Sequence, residues 1–182
     1  VVMCAGLAGV WQYSRGDHDM GNRVSSGLPA MSACQVINHT PAGYALRQTD
    51  GHPGALRIGD LIALRVEGRT GLQVAMVRWF RNTFKGSGLE FGCELLSDAP
   101  EAAAAVAENA ATGTLAPVVV LPEDHAPQAA DHAPPQIIVP AGAFQVEQAV
   151  SLRRGEQSGF AVLTKLVEHG PGFELYEFVP VA

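Results

Sequence analysis

Basic side chains are scarce in the second half of this chain: residues 97–182 carry 3 Lys and Arg against 11 Asp and Glu, a balance of −8. A polynucleotide partner needs a basic face to neutralise phosphates, and a chain of net charge −6 does not supply one. Residues 1–96 differ, with 9 basic and 7 acidic side chains, or +2. That half can still hold a compact anion. Cysteine is scarce too. Cys4, Cys34 and Cys93 are far apart and odd in number, which excludes a closed disulfide framework and a paired-Cys zinc site and points to buried thiols in a reducing compartment. Charged residues of all kinds make up 16% against a typical ~25%. With 47% apolar residues, this excludes a disordered chain and implies a folded, soluble one. Long apolar runs are missing: residues 1–11 are about half the length that spans a bilayer and lack a basic leader or a small-residue cleavage site. They are read as a core strand. The sequence starts on Val rather than Met, as a piece of a longer protein would.

What is present is period-2 alternation. Ile62, Leu64 and Val66 fall on one face of a strand and Ala63, Arg65 and Glu67 on the other, followed by the turn Gly68-Arg69-Thr70-Gly71. Residues 72–80 are almost continuously apolar, the pattern of a strand covered on both faces, and a polar loop with two glycines follows over residues 81–88. Leu89, Phe91, Cys93 and Leu95 then share one face of a third strand. Three consecutive strands with short turns make an antiparallel meander, the unit of a small barrel.

Residues 97–112 are rich in alanine, with Asp98 placed as an N-cap, Glu101 completing a capping box, Pro100 in the first turn and Gly113 at the end. The expectation is one α-helix after the first barrel. A strand over 115–121 leads to a Pro-rich loop over 122–136, in which Asp-His-Ala-Pro occurs twice without any apolar residue larger than alanine. Strands resume over 137–139, 146–153, 160–167 and 173–181, separated by glycine and proline turns. They form a second barrel with 115–121 or extend the first. The expected domains are residues 1–113 and 114–182.

Chemistry-bearing motifs are few. There is no His-x-x-x-His pair, nucleophile elbow, phosphate loop or dinucleotide glycine fingerprint, and the chain is read as non-enzymatic, with no metal and no cofactor. Asp17, His18 and Asp19 sit in Gly-rich surroundings that suit an exposed loop, and Cys34 has no evident base beside it. The informative stretch is residues 34–46: a short strand to Asn38, a tight turn whose Asn and Thr side chains can bond neighbouring backbone, a permissive Gly43, and a return strand carrying Arg47 just beyond.

Asn38-x-Thr40-x-x-Gly43 resembles the Asp/Asn-x-Ser-x-x-Gly motif of PilZ domains, small bacterial β-barrels that bind the second messenger cyclic di-GMP. Order and spacing around it are similar as well. Leu56-Arg57-Ile58-Gly59-Asp60 resembles the start of the second PilZ meander, Ala75-Met76-Val77-Arg78-Trp79 the strand ending in Val-x-Trp, and residues 89–96 the closing Gly-hydrophobic-x-Phe/Leu strand. Thr40 departs from the usual Ser by a methyl group in a crowded turn. The family's Arg-x-x-x-Arg pair, carried on the segment before the first strand, is missing from that place: Arg15 and Arg23 are eight apart, Asp19 stands four after Arg15, and the resemblance places such a pair upstream of Val1.

The resemblance, covering residues 34–111, implies an all-β fold of two small antiparallel barrels in tandem and a cytoplasmic cyclic di-GMP receptor. Its ligand would contact Asn38, Thr40, Gly43 and Arg47 and shift the placement of the barrels or of an upstream region. Without the arginine pair, weak or no binding by residues 1–182 alone is expected. Arg78 and Arg81 flank Trp79-Phe80, so a cation and an aromatic could face one ligand; the plainer expectation is a core tryptophan with solvent-facing arginines. The alternative function is a degenerate PilZ-like barrel that binds no nucleotide and serves protein interaction or dimerisation. The acidic half, with Tyr176 and Phe178 among its strands, is the expected partner surface, the partner being unspecified and a homodimer left open.

Overall fold

The apolar N-terminal run is broken at Gly6, whose φ of 85° lies in a region that favours glycine. In the computed structural model, which describes residues 1–15, 31–49, 56–82, 89–108, 115–123 and 134–181, that run forms β1 (Val2–Ala5) and then the helix α1 (Leu7–Ser14). This corrects the single core strand expected over residues 1–11. Leu7, Val10 and Trp11 recur at helical spacing, a signal the unbroken apolar run masks. The Gly6 N–H donates to the Leu61 carbonyl at 2.8 Å, fixing the entry to the helix on the neighbouring strand.

The remaining strands are β2 (Met31–Thr40), β3 (Gly43–Gln48), β4 (Leu61–Arg65), β5 (Gln73–Asn82), β6 (Leu89–Ser97), β7 (Glu101–Ala107), β8 (Ala116–Leu121), β9 (Gln136–Pro140), β10 (Ala149–Arg154), β11 (Gln157–Gly170) and β12 (Phe173–Val181). They close into two antiparallel barrels of six strands, ordered β1-β2-β3-β6-β5-β4 and β10-β11-β12-β9-β8-β7. Closure leaves no unpaired edge in either.

Residues 101–107 are a strand of the second barrel, where the helix over residues 97–112 was expected. β7 pairs with β8 through Ala103↔Val118 and with β10 through Leu152↔Ala105, so the second barrel begins at Glu101 rather than after residue 113. Alanine's helix preference amounts to only a few tenths of a kcal/mol per residue, less than what two hydrogen-bonded ladders and barrel closure supply. The capping box does not form: the Ser97 hydroxyl accepts the Ala99 N–H at 3.2 Å in a turn between the barrels. The one helix among the described residues is α1, between β1 and β2.

Three apolar clusters explain why several strands are apolar at nearly every position. Met3, Leu46, Ile62, Leu64, Val77 and Phe91 fill the first barrel, and Val118, Val120, Ile137, Leu163 and Phe178 fill the second. The third lies between the barrels and contains Leu61, Ala63, Val74 and Met76 of the first, Val119, Leu121, Ile138, Phe173 and Leu175 of the second, and Val10 and Tyr13 of α1. β4, β5 and β8 therefore bury alternate residues in a barrel and the intervening ones in the shared core. Trp11 ties the helix to β7, its Nε1 donating to the Ala103 carbonyl at 2.7 Å. The five second-barrel residues in the shared core, at about 1.5–3 kcal/mol each, hold the barrels together by on the order of 10 kcal/mol.

The Asp-His-Ala-Pro repeats lie almost wholly outside the described residues, as do the Asp17-His18-Asp19 cluster and Arg23. The α1 helix is not long and apolar enough to cross a membrane.

Candidate functional site

Two β-bulges shape one end of the first barrel's outer face. The β2–β3 ladder shifts register between Val36↔Leu46 and Asn38↔Ala45, and the β5–β6 ladder between Val77↔Cys93 and Trp79↔Gly92. Ile37 and Arg78 are the extra residues. Simple alternation would put Trp79 on the same inward face as Val77, yet its side chain is 41% exposed. A bulge interrupts the alternation and re-aims the residues that follow it, so Trp79 is corrected from a core residue to a surface one.

Glycines complete the site by leaving room. A Cβ at Gly92 would fall 1.9 Å from Trp79 Nε1, so the indole lies across the Gly92 backbone. A Cβ at Gly43 would fall 2.0 Å from the Cys93 carbonyl oxygen, which lets β3 approach β6 closely. The result is an open groove of about 320 Å³ whose lining includes Asn38, Thr40, Gly43, Arg78, Trp79 and Glu94.

Local hydrogen bonds set the motif residues. Asn38 Oδ1 accepts the His39 N–H at 2.9 Å and the Thr40 hydroxyl accepts the Ala42 N–H at 3.2 Å, holding the turn into Gly43. Asn38, His39 and Thr40 are exposed, and the His39 ring stacks on Tyr44 with centroids 6.4 Å apart. Tyr44 in turn donates through its hydroxyl to Gln73 Oε1 at 2.8 Å inside the barrel, so the outer turn is anchored to buried structure.

Arg78 supplies the groove's cation and is heavily engaged. Its Nε donates to Glu94 Oε2 at 2.6 Å, and its two terminal nitrogens donate to the two carboxylate oxygens of Glu168 at 2.5 and 2.8 Å. Glu168 belongs to β11, so this fork-to-fork pair joins the barrels at the rim of the groove. The hydrogen bond from Arg78 holds the Glu168 carboxyl below its ordinary range against the opposing effect of burial, and Glu168 in turn raises Arg78.

Asn38, Thr40 and Gly43 thus share one groove, whereas Arg47 does not line it. Arg47 lies opposite Glu90 across β3 and β6 and donates from Nε and Nη2 to Glu90 Oε1 at 2.9 and 2.7 Å. Its guanidinium neutralises a buried carboxylate. Arg81 is exposed and also outside the lining. Glu94 and Glu168 escaped the sequence reading. Ninety positions separate Glu168 from Arg78, and no local pattern marks such a pair.

Burial pushes the Cys4 and Cys93 thiols up to about 12, and all three cysteines are buried and form no disulfide. Among the described residues, no group of three or more His, Cys, Asp or Glu is arranged to hold a metal ion.

Comparison with known proteins agrees with this division of the chain. The family model described as the middle PilZ domain of the cyclic-di-GMP receptor FimW matches residues 12–103, and that of the FimW C-terminal beta-barrel domain matches residues 102–181. Among curated proteins, the Cyclic-di-GMP receptor FimW of Pseudomonas aeruginosa is 32% identical over 69 residues, which cover 38% of this chain and 11% of that protein. No solved structure matches. The two family models meet in the first residues of β7, and between them they cover every strand of both barrels except β1; the chain belongs to the FimW family of PilZ proteins, with a middle PilZ domain followed by the family's C-terminal β-barrel.

Proposed function

We propose that this chain is a non-enzymatic, cytoplasmic receptor module for cyclic di-GMP, with the nucleotide seated in the groove between β2–β3 and β5–β6. The observation that carries this reading is the meeting of Asn38, Thr40 and Gly43 with Trp79 and Arg78 in one groove. Family membership and the printed function of the Pseudomonas relative support it.

Each side chain has a task that fits a guanine dinucleotide. The Asn38 carboxamide and Thr40 hydroxyl offer hydrogen-bonding groups to base edges, and the absence of a side chain at Gly43 lets the ligand reach the backbone. Trp79 presents an aromatic surface for a base, an interaction worth about 1–3 kcal/mol per base. Arg78 offers a planar fork to phosphate. At about 320 Å³ the groove is at the small end of ligand sites, sized for one guanylate half with the other lying along the surface.

Binding by residues 1–182 is weak, in the micromolar range, because no pair of arginines four apart lines the groove among the described residues. Calorimetric titration of cyclic di-GMP tests this, and nanomolar affinity would contradict the arginine argument. The response to ligand is a local loosening rather than separation of the barrels. Micromolar binding supplies about 8 kcal/mol in all, less than the shared apolar core would cost to open.

One observation favours the other reading, a barrel that binds protein and no nucleotide. Phe160 and Val181 are opposite each other on β11 and β12, and together with Val179 they leave three large apolar side chains about half exposed on one outer face of the second barrel. Sedimentation of the chain alone, with and without the Phe160→Ser change, reports whether that face pairs two copies.

A further inference from the structure

We propose that Arg78 is a latch shared by the nucleotide groove and the second barrel: a ligand phosphate and the Glu168 carboxylate compete for the same edge of its guanidinium and exclude one another. This rests on the nucleotide reading above and adds how binding is communicated to the second barrel.

The geometry is specific about the competition. Arg78 spends Nε on Glu94, Nη1 on Glu168 and Nη2 on both carboxylates. A phosphate engaging both terminal nitrogens of the guanidinium needs the edge that Glu168 occupies. Charge points the same way. One cation faces two carboxylates at the rim, so an entering anion meets local negative charge until Glu168 leaves, and the side chains, 30–40% exposed, have the freedom to separate.

The far side of the latch is built to yield locally. Glu168 follows a register shift in the β11–β12 ladder, where Leu166 pairs with Tyr176 and Glu168 with Leu175. Beyond it the turn Gly170-Pro171-Gly172 abuts the first barrel: a Cβ at Gly170 would fall 2.4 Å from the Gly59 carbonyl oxygen, and Pro171 Cδ lies within 3.2 Å of the position of a Cβ at Gly59. Phe173 and Leu175 stay in the shared core. Release of Glu168 therefore frees residues 168–172 from the first barrel while the barrels remain joined.

The test is titration of cyclic di-GMP into the wild-type chain, Glu168→Gln and Asn38→Ala, together with amide hydrogen exchange of the wild-type chain with and without ligand. The latch predicts that Glu168→Gln binds about fivefold more tightly, a coupling of ordinary size, and that ligand speeds exchange over residues 168–172 in the wild type. Equal or weaker binding by Glu168→Gln, or unchanged exchange at those residues under saturating ligand, overturns the latch. If Asn38→Ala abolishes binding while Glu168→Gln leaves it unchanged, the nucleotide site stands and the latch falls. If no form binds, both fall.

Discussion

The indole of Trp79 occupies the space that a side chain at Gly92 would need, with Nε1 only 1.9 Å from where the Cβ would stand. The contact atoms are the far end of a half-exposed side chain, so the indole can swing aside at little cost to folding. Gly92→Ala is expected to change stability by about 1 kcal/mol or less, while cyclic di-GMP affinity falls about tenfold through loss of the stacking surface. A urea melt and a ligand titration on the same variant separate the two effects.

Arg47 gives the opposite pattern. Its partner Glu90 is buried, and truncating the arginine leaves that carboxylate without its counter-charge. Arg47→Ala is expected to lower unfolding free energy by about 2 kcal/mol, below the usual figure for buried pairs because the arginine side is partly exposed. Nucleotide affinity should stay within about twofold. A variant that melts normally but binds poorly would return Arg47 to the ligand site.

Acid should weaken the Arg78–Glu168 pair. Arg78, with a smaller contribution from His169, places the folded-state pKa of Glu168 below its ordinary 4.5, so the pair's stabilisation is fully present above that value and is lost as pH falls through the lower folded value. At pH 7 the wild type should melt about 2–4 °C above Glu168→Gln, the shift expected of a partly exposed ion pair in a chain of this size. The gap should narrow as pH falls below 4.5. A gap independent of pH would mean that packing rather than charge carries the pair.

The thiols should be inert in the folded protein. Burial holds Cys4 and Cys93 near 12, far above the pH at which a thiolate forms in the usual assay, and Cys34 is buried as well. Iodoacetamide at pH 8 is expected to leave all three unmodified over an hour and to label all three in urea, read by intact mass. Selective labelling of Cys93 in the native state would show that the floor of the groove opens.

Much of the fold was legible because apolar alternation survives wherever barrel walls face a core. The strand over residues 173–181 has the bounds of β12, and the nearly continuous apolar run over 72–80 correctly signals burial on both faces of β5. β7 was hidden because its inward and outward positions are both mostly alanine, so period 2 leaves no trace and only helix propensity remains to be read. Gly6 ends β1 by a backbone conformation, which a hydropathy pattern does not record. At the candidate site, Asn38, Thr40 and Gly43 were marked by their spacing. The bulges at Ile37 and Arg78, which decide where Asn38 and Trp79 point, are properties of strand pairing, and Glu168 enters only through the docking of the two barrels.

Calorimetric titration of cyclic di-GMP into the 182-residue chain, in parallel with Asn38→Ala, tests the nucleotide site most directly. Asn38 is exposed and its side chain bonds only to the neighbouring His39 N–H among the described residues, so the variant should fold with an unchanged melting midpoint. The account predicts saturable micromolar binding to the wild type and none to the variant. No saturable heat from the wild type, or equal binding by Asn38→Ala, would contradict it.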